Sequence, residues 1–73
     1  MTARQQFNAL HRAYFALMQK QTFERSTVAA LAREVADAAS QLSYEYRSDH
    51  AQRRYMVIAR NWRDIARGLE MPL

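Results

Sequence analysis

The stretch Tyr55 to Leu69, YMVIARNWRDIARGL, decides the fold. Its apolar residues Tyr55, Ile58, Trp62, Ile65 and Leu69 recur at alternating steps of three and four, the repeat of one side of an α-helix, so that side belongs to a core or an interface. At about 100° of turn per residue, Arg53, Arg60 and Arg67 line up almost opposite the stripe, with Arg63 beside them. One helix thus carries a greasy side and a cationic side.

Outward from this stretch the chain keeps helical spacing. Upstream, Ser48 and Asp49 offer caps for a helix over 49–67, and Asp49 with Gln52 makes a capping-box-like pair. Arg67 in the last turn, Gly68 at C′ and Pro72 beyond it supply the stop. Before that, Val28, Leu31, Val35, Ala38, Leu42 and Tyr46 form the main stripe of a helix over 27–47, capped by Ser26 or Thr27. Beside that stripe lie Ala32, Ala36, Ala39 and Ser43, small enough to let another backbone come close, either within the chain or across a dimer. Arg33 and Asp37, four apart on the outer side, are expected to pair at about 0.2–0.5 kcal/mol. At the start, Thr2-Ala3-Arg4-Gln5 is a capping-box pattern for a helix over 3–20, with Phe7, Leu10, Tyr14, Leu17 and Met18 as its buried stripe. Between Gln21 and Ser26 the pattern lapses, and Phe23 can fold back as an apolar plug near the turn.

The expected architecture is all-α, a small antiparallel three-helix bundle with helices of roughly 27–31 Å, similar enough in length to pack side by side. No glycine or proline forces the turn near Ser48. The competing arrangement is therefore a helical hairpin with one long helix over 27–67, which would have to dimerise to cover its seam.

Composition supports one helical domain over 1–73. The single glycine and single proline both lie near the C-terminus, so the strongest helix breakers are absent from the rest of the chain. Seventy-three residues stand near the size at which burial only just offsets chain entropy, which makes self-association an expectation. There is no cysteine to cross-link the fold, no long apolar run, and a polar N-terminus, TARQQFNALHR. The expectation is a cytoplasmic protein without disulfide, membrane span or signal peptide.

Catalytic chemistry is sparse. His11 and His50 lie far apart with no cysteine to complete a zinc site, and none of the seven carboxylates forms an apolar-flanked pair suited to acid-base work. No phosphate-binding glycine loop or nucleophile elbow is present. Neither catalytic residue, metal, cofactor nor small-molecule substrate is expected.

The formal charge is +4, and ten of the eleven basic residues are arginine, which suits bidentate contacts to carboxylate or phosphate. The competing explanation is compositional, since a GC-rich genome favours arginine and alanine codons. Leu31-Ala32-Arg33-Glu34-Val35-Ala36-Asp37-Ala38 with Leu42-Ser43 is faintly similar to a helix-turn-helix segment. However, Ala36 stands where the turn usually has glycine and Asp37 where an apolar residue packs, so one continuous helix is expected. The size and character resemble small accessory proteins of phages and plasmids, without a motif that identifies a family.

The leading expectation is a non-enzymatic regulatory or interaction protein, itself expected to be a homodimer, that binds another protein through a helix face and modulates its activity. Phe15, which projects off the first helix's stripe, together with Tyr44 and Met56, are candidate partner contacts of the types enriched at interfaces. Arg53, Arg60, Arg63 and Arg67 form a candidate face for an anionic partner. The runner-up is a small basic DNA-binding protein using that arginine face. A helix lying on anionic membrane is the third class, weakened because any soluble helix would set its arginines opposite its apolar stripe.

Overall fold

The Thr2 hydroxyl accepts the Gln5 amide at 3.1 Å and the Gln5 side chain accepts the Thr2 amide at 3.0 Å, so the expected capping box opens the first helix, α1 (Ala3–Met18). The computed structural model describes residues 2–20 and 22–71. Two further helices follow, α2 (Arg25–Ser43) and α3 (Asp49–Glu70), and the three form an all-α bundle. Gln21 and Pro72, named above for the first connection and the final stop, lie outside the described residues.

The middle helix begins two residues earlier than its apolar spacing suggests. Its N-cap is Glu24 rather than Ser26 or Thr27, and no side chain caps it. The reason is tertiary. Arg25, in the first turn of α2, donates from Nε to the Leu69 carbonyl (3.0 Å) and from Nη2 to the Gly68 carbonyl (3.1 Å), placing a guanidinium on the carbonyl end of α3, where the helix dipole favours positive charge. That end is therefore extended as well. α3 runs on to Glu70 with Met71 as its cap, and Gly68 sits inside the helix with no positive φ, not at C′.

Near residue 45 the chain turns, and the long-helix alternative does not occur. Tyr46, expected on the stripe of the middle helix, stands in the connection instead. The Ser48 hydroxyl caps α3 by accepting the Ala51 amide (3.4 Å), while the Gln52 side chain reaches back past Asp49 to donate to the Tyr46 carbonyl. The Tyr46 ring stacks on Tyr55 with centroids 5.1 Å apart, and Arg4 of α1 donates to its hydroxyl. Residue 46 is thus held from both neighbouring helices. Its hydrogen bond to Tyr55, then Arg4, holds the Tyr46 phenol below the ordinary tyrosine range, and the same bond pushes Tyr55 up.

α2 is the central element and its two flanks are covered differently. On one flank Ala32, Ala36, Ala39 and Ser43 are enclosed, as are Ala59 and Ala66 of α3. The proposed close-packing seam is therefore consumed inside the chain, between α2 and α3, and offers nothing to a second copy. On the other flank Leu10 and Leu17 of α1 pack against the core only half-buried. α1 and α3 run in the same direction, yet among the described residues no Cα of one lies within 8 Å of a Cα of the other. Aromatic rings span the gap. Phe7 meets Tyr55 edge-on at 6.3 Å, and Trp62 receives Tyr14 at 4.6 Å, His11 at 5.6 Å and Phe15 at 6.2 Å.

The result is a flattened bundle. Its principal extents are 40 × 25 × 14 Å and its radius of gyration is 12.9 Å, against about 11 Å for a typical domain of this length. Because α1 does not close over α3, Ile65 of the decisive stripe is 40% exposed rather than buried, and Met18 likewise remains open at the end of α1. The largest wholly buried side chains are only Val28, Val35 and Ser43.

Candidate functional site

Two broad faces result from this flattening, and the residues singled out in the sequence divide between them. On the back, the outer side of α2 and the adjoining side of α3 bring together Arg33, Asp37 and Tyr44 with Met56, Arg60, Arg63 and Arg67. Arg53 continues the row toward the start of α3, seven residues before Arg60 and so about 10 Å along the axis. Tyr44, the C-cap of α2, is 75% exposed. The sulfur of the exposed Met56 lies 3.4 Å from the Ser43 hydroxyl, which donates to the Ser40 carbonyl at 2.6 Å. On the front, Phe15 lies alone among the candidates, half-exposed against His11 and Trp62. The three expected partner contacts therefore do not form one patch.

The ion pairs of the back face cross between helices. Arg33 does not pair with Asp37 four residues on; it forms a two-pronged pair with Glu70 of α3, and Asp37 instead faces Arg63 at 3.7 Å. α3 lies alongside, so the outer residues of α2 reach it more readily than each other. Arg67 stands 3.9 Å from Asp64. These last two separations are long for charge-assisted hydrogen bonds, which close to about 2.7–2.9 Å, so the guanidiniums of Arg63 and Arg67 keep donors for an external acceptor. Among the described residues Arg53 and Arg60 have no ion-pair partner.

Between α2 and α3, Arg33, Asp37, Arg63 and Arg67 line a depression of about 230 Å³. A second, of about 190 Å³, lies between α1 and α2 beside Gln6, Leu10 and Glu34. Both fall below the roughly 300–1,000 Å³ of small-molecule sites and both open to solvent, so the arrangement suits a surface contact better than an enclosed ligand. Among the described residues no group of three potential metal ligands gathers; His11 is packed among rings and His50 is exposed in the first turn of α3. No described helix is long and apolar enough to cross a membrane.

Sequence spacing did not flag three contributors. Arg33 was assigned to a local pair, Arg25 carried no motif, and Val57, 55% exposed on the front of α3, lay outside the stripe that drew attention to Ile65. On the helical wheel Val57 stands beside Asp64, and Asn61 and Arg54 separate it from Ile65, so it is a single apolar residue on a polar side of α3. The helix-turn-helix likeness meets a continuous α2 in which Ala36 is buried and Asp37 exposed, with no turn between them. Comparison with protein-family models, with curated proteins and with solved structures returns no match to this chain.

Proposed function

We propose that this chain is a non-enzymatic interaction module that docks its back face onto an acidic surface of another protein and modulates that protein's activity. The observation that carries this reading is the depression between α2 and α3 lined by Arg33, Asp37, Arg63 and Arg67, with Arg60 on the same side of α3 by helical spacing and with Tyr44, at the end of α2, and Met56, beside Ser43, both exposed. Arginine and tyrosine are the residue types that most often anchor protein interfaces, and a thioether adapts to irregular partner surfaces. Carboxylates interleave with the arginines: Asp37, Asp64 and Glu70 would repel a phosphate backbone but can accept from basic groups of a protein. This mixed sign favours protein over nucleic acid.

Arg53 and Arg60, without an ion-pair partner among the described residues, favour the second reading, a polyanion contact, and the same variants separate the two. A tagged chain is used to capture partners from its host, and the captured protein is purified and titrated by calorimetry against wild type, Tyr44→Ala and the double variant Arg60→Glu/Arg63→Glu. Both variants are expected to weaken binding at least tenfold while circular dichroism stays helical. Undiminished binding by both would remove the back face from the interaction. Uptake of a short DNA duplex, with affinity falling steeply as salt rises and abolished in the double variant, would replace the protein partner with nucleic acid.

A further inference from the structure

We propose that Arg4, Tyr46 and Tyr55 form a latch that fastens α1 as a detachable strap over the α2–α3 hairpin. Nothing local compels the chain to turn between those two helices. Residues 44–48, Tyr-Glu-Tyr-Arg-Ser, include no glycine, proline, asparagine or aspartate, and no described residue has a positive φ. Beyond the end of α2 the amides of Tyr44, Glu45 and Tyr46 still reach back three residues, to the carbonyls of Gln41, Leu42 and Ser43, at 3.2, 3.1 and 3.4 Å, so the backbone keeps turning as far as Tyr46. Side chains from α3 hold it there: Gln52 donates to the Tyr46 carbonyl, and Tyr55 stacks on the Tyr46 ring with 10° between the planes. The tyrosine so fixed offers its hydroxyl to Arg4, in the first turn of α1.

That hydrogen bond has no companion. Among the described residues no other hydrogen bond or ion pair joins α1 to the rest of the chain. α1 contains no carboxylate, and its other arginine, Arg12, donates to the Asn8 carbonyl of its own helix at 3.4 Å. α2 and α3, by contrast, are tied repeatedly, by Arg25 on the Gly68 and Leu69 carbonyls, Arg33 on Glu70 and Asp37 facing Arg63.

The rest of the hold on α1 is apolar, through the half-buried Leu10 and Leu17 and the rings at Trp62. Apolar contact is non-directional, so the single directional bond decides whether the N-terminal end of α1 is seated. Tyr55 serves both kinds of contact there, since it stacks on Tyr46 and meets Phe7 edge-on. A strap held in this way opens from that end. Lifting it uncovers Val28 and Val35, which are wholly enclosed in the cluster containing Tyr14, along a bed as long as α1, about 24 Å. The latch therefore governs whether the apolar side of α2 is presented or covered, and it acts independently of the back face.

Native-state hydrogen exchange on the full chain, followed amide by amide by NMR, tests it. In wild type the α1 amides are expected to exchange through an opening that leaves α2 and α3 protected about tenfold better or more. Tyr46→Phe removes the hydroxyl and keeps the stacked ring, while Arg4→Ala removes its partner. Each is expected to speed α1 exchange about three- to tenfold, the range for one lost hydrogen bond, and to leave α2 and α3 unchanged. The double variant is expected to be no faster than either single one, because both remove the same bond. Arg12→Ala, on the same helix but bonded only within it, is expected to change α1 rates by less than about twofold. Exchange of all three helices as one unit in wild type, single variants without effect, or effects that add in the double variant would each overturn the latch.

Discussion

The two seams that join α3 to the rest of the molecule solve the same problem with opposite materials. Against α2, the residues are alanine and serine: Ala32, Ala36, Ala39 and Ser43 face Ala59 and Ala66, all essentially without exposure. Against α1, they are rings, with Tyr14 and Trp62 edge-to-face at 4.6 Å and an interplanar angle of 87°. Small side chains draw two backbones together and leave no room for solvent. Large ones hold the backbones apart and cannot close the gap they create. The first seam is finished within the chain; the second ends in the half-exposed Phe15, Met18 and Ile65. The gap left open follows from the size of the residues beside it.

The largest effect should come from removing the ring that holds the second seam together. Trp62→Ala deletes the side chain on which Tyr14, His11 and Phe15 converge and is expected to cost about 3–5 kcal/mol, comparable to the whole stability of a domain this small. Hydrogen exchange should show α1 amides losing protection before those of α2 and α3, since the alanine seam does not depend on the indole. Equal loss in all three helices would mean the two seams are one cooperative unit.

A smaller loss is expected from enlarging the first seam. Ala36→Leu inserts a branched side chain where exposure is zero and should destabilise by about 1–3 kcal/mol through displacement of α3, measured by urea denaturation. The same change at Ala13, exposed on α1, should cost almost nothing, and a comparable cost there would show that the effect is not one of close approach.

The smallest effect has the opposite sign. Gly68→Ala is expected to stabilise the isolated chain by up to about 1 kcal/mol, because the residue lies within a helix at negative φ with open space around it. Thermal melts at low concentration, where association is minimal, would detect it. A loss of stability there would reveal a packing role for the glycine within one chain.

Helical periodicity, the near absence of glycine and proline, and the capping box at Thr2 were sufficient to determine an all-α chain with three helices close to their observed positions, because these depend on neighbours within a turn. The same spacing identified the arginine row and the small-residue strip. The ends of α2 and α3 were decided by tertiary structure, since Arg25 satisfies carbonyls 43 and 44 residues away. So was the partner of Arg33, which is on another helix because α3 lies beside it. The fate of Ile65 was decided in the same way: a stripe at the correct spacing states that a side of the helix is apolar, but burial requires a neighbour close enough to cover it. That distance is set jointly by side-chain sizes on helices far apart in the chain, here by a tryptophan and its ring partners that keep α1 at arm's length.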